Sequence, residues 1–129
     1  MIRVLLVDDH TVVREALARV LDEFPGLAVV GQSADGESAA GATRHLHPDV
    51  VLMDVSLPGI DGFAATKLVK AAAPDTRVII LTMHDPAAIA PAVRASGADG
   101  FVRKDADMEE LVQVIQQGHP ATNSAEWIG

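Results

Sequence analysis

Val50-Val51-Leu52-Met53-Asp54-Val55-Ser56-Leu57-Pro58-Gly59-Ile60-Asp61-Gly62 is an apolar run that ends on a carboxylate and passes at once into a Ser, Pro and Gly turn. Four consecutive aliphatic side chains with no polar alternation read as a strand covered on both faces, as in the middle of a parallel sheet. Comparable runs stand at 3–7, 27–31, 78–82 and 100–103. Between them Val12, Val13, Ala16, Leu17, Val20 and Leu21 follow helical spacing, as do Phe63, Leu68 and Val69, and again Met108, Leu111, Val112 and Ile115. Phe24-Pro25-Gly26, His47-Pro48-Asp49, Ala73-Pro74-Asp75 and Ser96-Gly97-Ala98 supply the stops. Strand and helix thus alternate five times, an α/β pattern. Right-handed crossovers leave a five-stranded doubly wound sheet with helices on both faces as the common solution.

Pro86 suits the first turn of the fourth helix, whereas Pro91 falls inside it and removes one backbone bond, so that helix is expected to be short, kinked or frayed. After Gln117 the apolar periodicity stops. Residues 1–118 therefore read as one domain and 119–129 as the start of a linker.

The 129 residues are 49% hydrophobic and only 3% aromatic, which predicts an aliphatic core. No cysteine is present, so disulfides and thiolate metal sites are excluded and a reducing compartment fits. The apolar run after Arg3 is too short for a signal core or a membrane span, and a cytoplasmic protein without membrane contact is expected. A net charge of −8 with scattered basic residues opposes direct binding of nucleic acid.

In an open parallel sheet, ligands bind beyond the carboxyl ends of the strands. Asp8 and Asp9 follow Val4-Leu5-Leu6-Val7, Asp54 ends the third run, Thr82 the fourth, and Lys104 follows Phe101-Val102-Arg103. Three carboxylates at one edge repel unless a cation joins them, and an all-oxygen donor set favours Mg2+, with Mn2+ as a substitute. One carboxylate can then act as nucleophile toward a phosphoryl donor, with Lys104, the Thr82 hydroxyl and backbone N–H groups neutralising the phosphoryl oxygens. A phosphate on Asp54 adds charge that can draw Thr82 inward, and Phe101 is placed to fill the vacated space.

The combination Val7-Asp8-Asp9, Met53-Asp54 through Gly62, Leu81-Thr82 and Gly100-Phe101-Val102-Arg103-Lys104-Asp105 resembles the receiver domain of two-component response regulators, over residues 2–118. The resemblance implies a flavodoxin-like (βα)5 fold with parallel strands in the order 2-1-3-4-5. It implies Asp54 as phosphoacceptor for a sensor histidine kinase and Thr82 with Phe101 as a switch pair. Asp9, Asp54 and the Ser56 main-chain carbonyl would ligate Mg2+, Asp8 would act mainly through water, and Lys104 would contact the phosphoryl group. Asp9-His10, Gly59-Ile60-Asp61-Gly62, Ser96-Gly97-Ala98 and Lys104-Asp105 look like the NarL/FixJ branch, whose members carry a LuxR-type helix-turn-helix after a linker. DNA would then be reached only through a C-terminal domain beyond residue 129. Ser56 and His84 occupy positions that tune phosphoryl lifetime, and a phosphorylation-dependent homodimer is implied through the fourth and fifth or the first and fifth helices.

Other readings compete with this one. An aspartate-nucleophile phosphatase needs Asp-x-Asp after the first strand, where residue 10 is His. No G-x-G-x-x-G or Walker loop follows that strand, which opposes nucleotide binding. The chain therefore reads as a non-enzyme whose only turnover is Mg2+-dependent self-phosphorylation and slow hydrolysis. A stand-alone receiver or phosphorelay intermediate is the alternative to a transcription regulator. His45 and His47 read as a solvated helix end rather than a zinc site, and His10 as a residue bordering the acidic pocket.

Overall fold

The computed structural model describes residues 1–117, so the linker expected at 119–129 lies outside the described residues. The elements alternate in chain order: β1 (Ile2–Val7), α1 (Thr11–Asp22), β2 (Leu27–Ser33), α2 (Gly36–Leu46), β3 (Val50–Asp54), α3 (Gly62–Ala72), β4 (Arg77–Thr82), α4 (Pro86–Ser96), β5 (Gly100–Arg103) and α5 (Met108–Gln117). The strands form one sheet in the order β2-β1-β3-β4-β5, and every neighbouring pair is parallel. This is the doubly wound sheet that the alternation predicts, in the flavodoxin-like strand order that the resemblance implies.

Side-chain alternation divides the core into two layers. Leu5, Val7, Val51, Met53, Val78 and Ile80 face α2, α3 and α4, whose Ala39, Ala65, Val69, Ile89 and Val93 are buried against them. Val4, Leu6, Val50, Leu52, Ile79, Leu81 and Val102 face α1 and α5, meeting Ala18, Leu21, Leu111, Val112 and Ile115. Pairing Val4 with Val50 and Leu52 with Ile79 keeps each layer in register across the central strands.

Carboxylates start most of the helices. Asp35, Asp61 and Asp85 each accept a backbone N–H from the first turn of α2, α3 and α4, and Asp107 accepts from Glu110 at the start of α5. The left-handed Gly97 (φ 85°) and His47 (φ 52°) close α4 and α2.

Packing decides the buried faces of α1 and α3 and corrects the expectation for α4. Val12, Val13 and Val20 of α1 are 82%, 52% and 40% exposed, Ala16 is exposed too, and Ala18 with Leu21 is what the helix buries. The apolar positions of α1 span more than one face, and at about 100° per residue Val12 and Ala16 point away from the stripe set by Leu17, Ala18 and Leu21. In α3, Leu68 is 47% exposed, because Ala65, Thr66 and Val69 take the buried face. Finally, α4 runs unbroken from Pro86 to Ser96, as long as α2 and α3. Pro91 sits on its exposed side and forfeits a single bond, while buried Ile89, Ala90 and Val93 hold the helix to the sheet.

Candidate functional site at the carboxyl edge of the sheet

The order reverses between β1 and β3, and this is where the carboxylates gather. Asp8 leaves β1 with its N–H bonded to the Ser33 carbonyl at the end of β2 (3.0 Å), and its side chain is buried. Asp8 Oδ1 accepts the His10 N–H at 2.9 Å, which folds the connection to α1 back over the sheet edge. Arg14 reaches back from the first turn of α1, donating Nη1 to the Asp8 carbonyl at 2.6 Å and Nε to Gln32 Oε1 at 3.0 Å. Side chains on a helix lean toward its N-terminus, so a residue one turn inside α1 can hold the loop that precedes it.

Asp54 is the last residue of β3 and is 2% exposed. The Val55 N–H continues the pairing to the Leu81 carbonyl, and the Gly62 N–H bonds the Val55 carbonyl at 2.8 Å. This brings the start of α3 against the backbone of Asp54, and a Cβ on Gly62 would collide with the Asp54 carbonyl oxygen and lie 2.8 Å from Val55 Cα. Ser56 donates its N–H to Asp54 Oδ1 at 3.3 Å. Across the sheet, the Lys104 N–H bonds the Thr82 carbonyl one residue past β5, and its ammonium lies 3.1 Å from Asp54 Oδ2 and 3.5 Å from Asp8 Oδ2.

One ligand atom from each of Asp8, Asp9, His10 and Asp54 falls within 4.8 Å of the others. Asp9 Oδ1 and Asp54 Oδ2 are buried atoms with no hydrogen-bond donor in proper geometry, although His10 Nδ1 stands 3.2 Å from the first and Lys104 the stated 3.1 Å from the second. Buried carboxylate oxygens left this way suit a small hard cation. Burial pushes the Asp54 carboxyl above its ordinary range, the Lys104 hydrogen bond and charge oppose this, and the Asp8 charge adds to it. Burial acts to lower the Lys104 ammonium, but bonding to Asp54 and the charges of Asp54 and Asp8 outweigh it and hold that group above its ordinary value. Lys104 therefore stays cationic and counterbalances part of the acidic cluster.

Of the residues expected at the site, Lys104 contacts Asp54 and Asp8, Asp9 has a ligand atom within 4.8 Å of theirs, and Ser56 lies beside Asp54 through its backbone. Thr82, 1% exposed at the end of β4, has its hydroxyl oxygen accepting the His84 N–H at 2.9 Å. Phe101 is half-buried, pairs with Ile80 and packs on the α2–α4 layer, set back along β5 from the carboxylates. Two participants escape the sequence reading. Arg14 betrays itself only by standing four residues after His10, and the contact of Gly62 with Asp54 depends on how α3 returns to the sheet. His45 and His47 are exposed and close α2, with the His47 N–H on the Thr43 carbonyl at 3.0 Å.

A five-stranded sheet with an acidic cluster at its switch point and a lysine from the last strand defines a receiver. The chain belongs to the response regulator receiver domain family, whose description matches residues 4–116. It is 44% identical to the response regulator GacA of Pseudomonas aeruginosa over 117 residues, covering 91% of this chain and 55% of that protein. Among solved structures it is similar to a LuxR-family two-component response regulator from Aurantimonas sp., with TM-score 0.84, 42% identity, and 89% of this chain and 82% of that one covered. The signal receiver domain of the response regulator NarL from Mycobacterium tuberculosis superposes with TM-score 0.83 at 34% identity, covering 90% of this chain and 94% of that one. These neighbours agree with the NarL/FixJ branch. The chain spans about half the length of the curated relatives it matches. Among the described residues, no helix is long and apolar enough to cross a membrane.

Proposed function

We propose that Asp54 is the phosphoacceptor and that this receiver takes its phosphoryl group from the phosphohistidine of a sensor kinase. The observation that carries the reading is the buried Asp54 carboxylate, faced by Lys104 at 3.1 Å and grouped with Asp8 and Asp9. An Asp54 oxygen attacks phosphorus, the P–N bond breaks, and the imidazole departs, leaving an acyl phosphate. Lys104 neutralises a phosphoryl oxygen as charge develops, and the backbone N–H groups after Asp54 offer further donors. Asp9, Asp54 and the Ser56 carbonyl would hold Mg2+ (or Mn2+), with Asp8 acting through water, and the bound ion supplies positive charge to the phosphoryl oxygens.

Once phosphorylated, Asp54 presents phosphoryl oxygens that accept the Thr82 O–H, drawing in the hydroxyl whose oxygen accepts the His84 N–H, and Phe101 responds to the movement of that side chain. Val12 and Val13 stand exposed at the start of α1, next to the loop that carries Asp8 and Asp9, and give an incoming kinase an apolar surface beside the acceptor. Curated response regulators about twice as long support a further segment joined to such a receiver; in this reading that segment binds DNA, phosphorylation-dependent pairing of receivers controls it, and the cytoplasm is the place of work. Turnover is incidental to this role.

The test is intact mass after incubation with acetyl phosphate and Mg2+. One phosphoryl group is expected on the wild-type chain and none on Asp54→Ala or without metal. An Asp54→Ala chain labelled to the same extent would overturn the assignment.

A further inference from the structure

We infer that His10 is a direct nitrogen ligand of the metal site, so that this receiver accepts borderline transition ions such as Ni2+ through an imidazole that an all-oxygen site lacks. The inference rests on the metal-binding reading above and adds a ligand to it.

His10 stands at the N-cap of α1, where its backbone is extended and its side chain forms no cap hydrogen bond. The ring turns instead toward the acidic cluster, with Nδ1 at 3.2 Å from both Asp8 Oδ1 and Asp9 Oδ1. Those separations fit a shared ion. Neighbouring ligands about 2.1 Å from an octahedral cation stand about 3.0 Å apart, and opposite ones about 4.2 Å. The 3.2 Å from the ring nitrogen to Asp9 Oδ1 lies near the first spacing, and Asp54, within 4.8 Å, closes to the second with shifts of a few tenths of an ångström per bond, while Asp8 keeps its water-mediated place.

Two features favour a ligand over a hydrogen bond alone. Asp9 Oδ1 remains a buried oxygen without a donor in proper geometry, although the ring nitrogen is at bonding distance. The ring nitrogen is also within hydrogen-bond distance of Asp8 Oδ1 (3.2 Å), but the shorter bond from the His10 backbone N–H (2.9 Å) already holds that oxygen, so the ring can exchange this contact for an ion. The His10 side chain is 63% exposed and stands at the mouth of the site, where it can close over an ion that has entered. Imidazole raises affinity for Ni2+ far more than for Mg2+, which prefers oxygen and retains its waters, while Mn2+ serves as a paramagnetic reporter of whichever ligands are present.

The experiment compares this chain with His10→Ala and His10→Gln by calorimetric titration with Ni2+ and, separately, Mg2+, and by pulsed EPR of the Mn2+-loaded protein. Expected are an imidazole nitrogen coupling on Mn2+ that both variants lose, and a fall in Ni2+ affinity of about tenfold or more against a much smaller fall for Mg2+. Equal falls for both ions, or a nitrogen coupling that survives in His10→Ala, would overturn the inference, the first by reducing His10 to a positioning residue and the second by assigning the nitrogen elsewhere. The mass assay of Asp54 reads the receiver function independently. A normal phosphoryl adduct with no nitrogen coupling sinks the ligand claim alone, whereas loss of the adduct in the wild-type chain sinks the underlying reading.

Discussion

Asp54 holds its charge against burial and against the neighbouring Asp8, with Lys104 as the compensating partner. Because its carboxyl is raised in the folded chain, the native state keeps that proton to higher pH than the unfolded state does. The stability this brings is present below the ordinary value of 3.8 and is lost as pH rises through the higher folded value, so the ionised group is a net cost at neutral pH. Asp54→Asn should therefore raise the melting temperature of the metal-free chain at pH 7, with the gain shrinking as pH falls toward the ordinary carboxylate range. Melting curves across that pH range check it, and an unchanged or lowered Tm at pH 7 would show that Lys104 more than cancels the burial. Asp8, Asp9, Asp54 and Lys104 are all legible in the sequence because each follows a strand-like run, and a parallel sheet sends all its strand ends to one edge. Arg14 is not, since a lone arginine in a helix carries no signal until its target, the Asp8 carbonyl, is in place.

Elements meet with little slack around β3 and α3. Gly62 brings the start of α3 onto the Asp54 backbone, where an added Cβ would press on main-chain atoms that cannot rotate aside. Gly62→Ala is expected to cost about 2–3 kcal/mol and to weaken metal binding with it, since the strand end itself is displaced. Chemical denaturation and metal titration together test this, and a stable variant with normal affinity would mean that α3 can shift freely. On α1 the prediction divides by face. Leu21→Ala should cost about 3 kcal/mol, because Leu21 is fully buried, while Val12→Ser, at a side chain 82% exposed, should stay within about 0.5 kcal/mol in the same denaturation measurement. Helical spacing identifies α1 as a helix without choosing its buried face, since Val12, Val13, Ala16 and Val20 satisfy the same apolar count without pointing at the sheet. Pro91 was overweighted for a related reason: the cost of one lost bond is fixed by the sequence, but the packing of Ile89, Ala90 and Val93 that offsets it is tertiary.

For the molecule as a whole, the acidic cluster links ligand occupancy to global stability. An ion bound only by the folded state stabilises it by about 2.7 kcal/mol at a hundredfold excess over its dissociation constant. Mg2+ should thus raise the Tm by several degrees, and Asp9→Asn should remove most of that shift; thermal scans over a metal series decide it, and an equal shift in the variant would place the ion elsewhere. The sequence by itself determined the class of the sheet, its two-sided burial and the edge to which Asp8, Asp9, Asp54 and Lys104 are delivered. It could do so because strand runs, helix caps and Pro or Gly stops are local, and the alternation of strand and helix leaves few ways to connect them. Only the tertiary structure decided which stripe of α1 is buried, how closely α3 approaches Asp54, that Arg14 fastens the β1–α1 connection, and that the His10 ring faces the carboxylates instead of capping its helix. These are distances between segments far apart in the chain or choices among open side-chain directions, and they are fixed when the layers pack.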